Sequence, residues 1–159
     1  MITSAPAPKK LRERLLIDTF LYVCPDFTGA EFEIYDENPD LIYRFEGEQV
    51  GFESIVVNIG DSEIGCVFRA DNCELSLPLA ETTEQLDAIQ RQLTERMFDH
   101  LRLYKLPTII VFSLAARYRL EAVAAHFRLP ELNRHNIVDY YICDGQRSVK
   151  LAETTYNKY

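Results

Sequence analysis

Two acidic residues, Asp40 and Glu53, bracket a stretch with the pattern of a β-hairpin. It runs Asp40-Leu41-Ile42-Tyr43-Arg44-Phe45, then Glu46-Gly47, then Glu48-Gln49-Val50-Gly51-Phe52-Glu53. With Glu46-Gly47 as a two-residue turn, Phe45 faces Glu48, and counting back sets Asp40 directly opposite Glu53. Glycine at the second turn position suits the left-handed backbone of such a turn. Directly opposite residues on paired strands have Cβ atoms about 4.5–5.5 Å apart, and two carboxylates there repel each other. A shared proton, a basic neighbour or a bound cation relieves that repulsion. Magnesium is commonly held by one or two carboxylates plus waters. A one-residue slip of register would send one acid to the other face and leave both as ordinary solvated residues.

The elements that must position this pair follow from periodicity. Leu11, Leu15, Leu16, Thr19, Phe20 and Val23 recur at steps of three and four, which predicts an amphipathic helix over residues 9–23, ended by Pro25. Residues 31–35 alternate polar and apolar like a half-buried strand, and Asp36-Glu37-Asn38-Pro39 reads as a turn. Strands are expected at 40–45 and 49–57. Residues 58–79 stay open between strand and loop, with 64–68 a candidate strand. Thr82 or Thr83 caps a long helix, with Glu84 and Gln85 in its first turn. Its buried stripe is Leu86, Ile89, Leu93, Met97, Leu101 and Tyr104. Pro107 ends it and opens Thr108-Ile109-Ile110-Val111-Phe112, a continuous apolar run suited to a strand covered on both faces. A second helix is expected over 118–127. The remainder reads as a strand over 137–143, a tight turn at Asp144-Gly145 and a strand over 148–152. The order α-βββ-(β)-α-β-α-β-β predicts an α/β fold with a central mixed β-sheet flanked by helices. Residues 1–8 read as a flexible lead-in and 9–159 as a single domain.

Composition sets the outer bounds. The chain has 159 residues, 47% apolar and 26% charged, an ordinary globular balance for one domain. No apolar run reaches the roughly 20 residues of a membrane helix, so no membrane partner is expected. No signal-peptide pattern opens the sequence, and a cytoplasmic setting is the default. Cys24, Cys66, Cys73 and Cys143 lack metal-site spacing with each other or with His100, His126 and His135, and read as buried free thiols. The net charge of −8 is uneven: residues 1–90 hold 6 Lys/Arg against 18 Asp/Glu, and residues 91–159 hold 11 against 7. An acidic chain is a poor non-specific binder of nucleic acid, although binding follows the local field. Arg117, Arg119, Arg128 and Arg134, with Tyr118 and His126, could form a basic and aromatic patch or a solvated helix face. His100 reads as a structural or solvated residue. No Ser-His-Asp pattern, glycine-rich phosphate loop or HExxH is present.

The stretch Pro39-Asp40, an apolar strand, a glycine turn and Gly51-Phe52-Glu53 resembles the core motif of the PD-(D/E)XK nuclease superfamily. The surrounding order resembles it too: a helix before the motif, a long helix after it, then a buried strand. The resemblance implies a restriction-endonuclease-like fold. It further implies that Asp40, Glu53 and the backbone carbonyl of Ser54 bind Mg2+ or Mn2+ for hydrolysis of a DNA phosphodiester. Glu13 or Asp18 could add a further acid from the first helix. The sequence departs from the family at Ile55, where the catalytic lysine would stand. A basic group from the long helix could replace it. Gln92 aligns with that lysine, with Arg91 and Arg96 nearby, but glutamine carries no charge and arginine stays protonated.

Two readings follow. One is a magnesium-dependent endonuclease serving defence, repair or a mobile element, with catalytic residues Asp40, Glu53, Gln92 and Arg96 and DNA as partner. The other is a catalytically inactive nuclease-fold protein that binds a protein partner through its acidic face. A homodimer is compatible with either.

Overall fold

Pro8 opens the first helix, where its fixed φ is an advantage and its missing N–H costs nothing. Helix α1 spans Pro8–Val23. Pro25 forces Cys24 into extended backbone (φ −109°, ψ 111°) and starts a short 3-10 turn, Pro25–Phe27. Strands β1 (Glu31–Tyr35), β2 (Leu41–Phe45) and β3 (Glu48–Val56) follow. Helix α2 covers Thr83–Asp99, β4 Thr108–Ser113, α3 Leu120–His126, β5 Ile137–Cys143 and β6 Ser148–Lys150. The computed structural model describes residues 6–57, 83–101, 103–114, 119–132 and 135–151. The expected strand at 64–68, together with Thr82, Cys66, Cys73, Arg117, Tyr118 and Arg134, lies outside the described residues.

The six described strands form one mixed sheet in the order β1-β2-β3-β4-β5-β6. The first three are antiparallel, β3-β4 and β4-β5 are parallel, and β6 returns antiparallel to β5. A parallel pair needs a crossover, and α2 and α3 lie in those two connections. One core cluster joins Ile89, Leu93 and Met97 of α2 and Val123 of α3 to Ile110 and Phe112 of β4. The other joins Ile17 and Phe20 of α1 to Ile109 and Val111 of the same strand. Alternation along β4 therefore feeds both layers, and every residue of that strand is buried. Among the described residues, no helix is long and apolar enough to cross a membrane.

Four local expectations are corrected. Helix α2 stops at Asp99, so Leu101 and Tyr104 of the expected stripe fall beyond it and Pro107 does not end it. The inward face of α1 is Glu13, Ile17 and Phe20, while Leu11 and Leu15 are exposed. The three inward positions are spaced by four and three, a helical face that the density of leucines hid. The last hairpin has a four-residue connection, Asp144-Gly145-Gln146-Arg147, because Cys143 pairs with Ser148. Asp144 Oδ1 holds it by accepting from the backbone N–H groups of Gln146 (2.8 Å) and Arg147 (2.9 Å). The second helix begins at Leu120, after extended backbone at Arg119.

A carboxylate pocket between two helices

The β2–β3 turn fixes the site. Glu46 and Gly47 both take positive φ, 52° and 81°. This is the two-residue turn whose twist matches paired strands. The register runs from Phe45↔Glu48 to Leu41↔Phe52, so Asp40, one residue before β2, meets Glu53. The backbone N–H of Asp40 donates to Glu53 Oε1 at 2.7 Å. The backbone N–H of Ser54 donates to Asp40 Oδ2 at 3.2 Å. Gly51 lets the preceding loop dock here: a Cβ at Gly51 would stand 2.2 Å from Pro39 Cγ and 2.8 Å from Thr108 Oγ1. Pro39 is buried against this bare backbone and holds Asp40 at the head of the strand.

Helix α1 brings the counter-charge. Lys10 Nζ lies 3.6 Å from Asp40 Oδ1 and 3.3 Å from Glu13 Oε1, with all three side chains mostly buried. It also donates to the backbone carbonyls of Asp36 and, at 3.3 Å, of Asp40. Burial pushes the Asp40 carboxyl above its ordinary range, opposed by the Ser54 N–H and by Lys10. Burial also raises Glu13, and Asp40 adds to the rise while Lys10 opposes it. Burial works against the Lys10 ammonium, but Asp40 and Glu13 outweigh it and its pKa rises. Of the three ways to relieve the pair, the chain itself supplies a basic neighbour.

Glu13 and Asp40, though not Lys10 itself, line a pocket of about 590 Å³ between α1 and the end of α2. Lys9, Arg12 and Glu13 stand on the α1 side, Arg96 and His100 on the α2 side, with Asp40, Glu53 and Ser54 between them. Arg96 thus reaches the carboxylates' pocket. Gln92 does not line it, and Arg91 borders a separate shallow depression with Asp87, Gln90 and Glu95. Asp18 is committed elsewhere, accepting from Tyr43 Oη at 2.5 Å and from Arg14 at 3.2 Å. Ile55, at the family's lysine position, is buried in the core cluster of Ile89, Leu93 and Met97.

The other sequence candidates are bound into the fold. His126 Nε2 sits 2.7 Å from Asp87 Oδ1, and Arg128 donates to the carbonyls of Ala125, His126 and Phe127 at the end of α3. Cys24 and Cys143 are buried free thiols. Lys9, Arg12 and His100, which line the pocket, and Lys10, which pairs with its acids, are residues that sequence reasoning missed as members of the site. Lys10 precedes Glu13, Ile17 and Phe20 by helical steps, so the true face of α1 would have found it. His100 follows Arg96 by four residues and shares its face.

Among the described residues, no three His, Cys, Asp or Glu side chains are grouped to hold a metal ion. Asp40 and Glu53 still fit magnesium, which takes one or two carboxylates and completes its shell with water. Glu13, whose Oε1 is buried and paired with Lys10 at 3.3 Å, lines the same pocket. No family model, curated protein or solved structure matches the chain.

Proposed function

We propose that this chain is a metal-dependent nuclease of the PD-(D/E)XK kind, in which Lys10 supplies the positive charge that Ile55 cannot. The single observation that carries this reading is the meeting of Asp40, Glu53 and Lys10 beside one pocket that Arg96 also lines. The element order supports it: a helix, an antiparallel β1-β2-β3 unit, a crossover helix and a buried parallel strand. Magnesium or manganese on Asp40 and Glu53 would supply a polarised water and a counter-charge for the phosphoryl oxygens. Asp40 is oriented by the Ser54 N–H, and Glu53 by the Asp40 N–H. Lys10, with its pKa raised, stays an ammonium at neutral pH and acts by charge and hydrogen bonding, not as a base. Arg96 lines the same pocket and would offer a cation to a flanking phosphate.

The test is cleavage of plasmid and single-stranded DNA with magnesium or manganese, with EDTA, and with Glu53→Gln beside the native chain. Metal-dependent cutting that disappears in EDTA and falls at least about 100-fold in Glu53→Gln is expected. A second reading, a binding module without catalysis, is favoured by Ile55, whose place in the apolar core leaves that position without a charge. Folded protein that cuts neither substrate in either metal would decide for it.

A further inference from the structure

The pocket carries basic groups on both helical walls. Lys9 and Arg12 stand three residues apart on α1, and Arg96 and His100 four apart at the end of α2, so each pair shares one helix face. Asp40 and Glu53 lie between the two pairs. His100 Nδ1 lies 2.9 Å from the Arg96 carbonyl; a carbonyl only accepts, so this nitrogen carries the hydrogen and the ring is anchored to the helix end. The volume of about 590 Å³ is that of a small-ligand site. Residues 1–90, which carry the carboxylates and α1, hold three acids for every base, a balance hostile to a long polyanion. A protein that grips duplex DNA through its backbone makes about 6–10 phosphate contacts. Three Lys/Arg side chains line the pocket, Lys9, Arg12 and Arg96.

We infer that this pocket takes a short single-stranded stretch of nucleic acid, its phosphates seated on Lys9 and Arg12 at one side of the carboxylates and on Arg96 at the other. This rests on the nuclease reading for the role of the carboxylates, but the phosphate seats can be measured without it. A single strand can bend into a cleft between two helices and needs few contacts. A duplex would bring many more phosphates against the acidic half.

Fluorescence anisotropy of the full chain in EDTA, with fluorescein-labelled hexathymidylate and with a duplex of two helical turns, tests it. Hexathymidylate should bind more tightly than the duplex, and log Kd should rise with log salt at a slope of about 2, from three cations at about 0.7 each. Arg96→Gln and Lys9→Gln should each weaken binding at least about threefold and lower that slope by about 0.7. Both side chains line open space, so circular-dichroism melts should match the native chain. Equal or tighter duplex binding, an unchanged slope in both variants, or no binding of either probe would overturn the inference. Metal-dependent duplex cleavage alongside such a result would leave the nuclease reading standing. Hexathymidylate binding with no cleavage in any metal would do the reverse.

Discussion

Lys10, Glu13 and Asp40 set one another's charge. Two buried carboxylates and one ammonium share a small volume, and each carboxylate has its pKa raised by burial. A carboxyl whose folded pKa is raised contributes most to stability below its unfolded value, near 4.5 for Glu13 and 3.8 for Asp40. That contribution is lost as pH rises through the folded value. Lys10 limits the loss. Removing one partner of a buried pair costs about 3–5 kcal/mol. Here the side chains keep 11–15% of their exposure and Asp40 keeps the Ser54 N–H, so Lys10→Met should cost about 2 kcal/mol at neutral pH. The cost should shrink as pH falls below those ordinary values, where both raised carboxyls hold protons. Urea denaturation of both proteins across that range checks it; an equal cost at both ends would mean Lys10 acts by packing its stem. The Asp40–Glu53 meeting was legible in the sequence because a two-residue turn makes register a matter of counting. Lys10 was not, because Leu11 and Leu15 suggested the wrong inward face and Asp40, its acidic partner outside the helix, lies thirty residues on.

At the scale of the element, the β2–β3 hairpin holds the site through its missing atoms as much as its side chains. The turn needs left-handed backbone at Glu46 and Gly47, and the glycine in the sequence announced this. Gly51 is different, for it serves a close approach and not an unusual φ. As a sequence feature it was only part of a motif; its reason, the Pro39 ring against the strand, needed the fold. Gly51→Ala must displace the Pro39 ring or strand β4, since Pro39 Cγ and Thr108 Oγ1 both stand too close for a Cβ. Overpacking of this kind costs about 1–3 kcal/mol, and two rigid neighbours place it at the upper end. Thermal melting should show that loss. The variant should also weaken metal-dependent cleavage at temperatures where it remains folded, because Pro39 carries Asp40. A melt like that of the native chain would show that the loop gives way without strain.

For the whole molecule, the sheet divides the interior into two layers, and each carries one wall of the pocket. The continuous apolar run of β4 made a strand covered on both faces legible, since alternating polar positions would have left one face wet. Which helix covered which face was not legible: α2 and α3 reach one side only because two successive crossovers do, and α1 is left to the other. Nor does a net charge of −8 reveal that Lys9, Arg12 and Arg96 gather at one pocket, because folding and not sequence distance makes them neighbours. The two-layer arrangement has a thermodynamic signature. Ile17→Ala opens a cavity under α1 and Leu93→Ala one under α2, each at a fully buried position, and each should cost about 2–5 kcal/mol. The two side chains belong to different clusters on opposite sides of the sheet. Their costs should therefore add within about 0.5 kcal/mol in the double variant. A double-mutant cycle by chemical denaturation measures this. Coupling well above that margin would mean that one cavity relaxes the other through the central strands, and that α1 and α2 respond to each other across the sheet. Additivity would mean that each wall of the pocket is anchored by its own core and can be loosened separately.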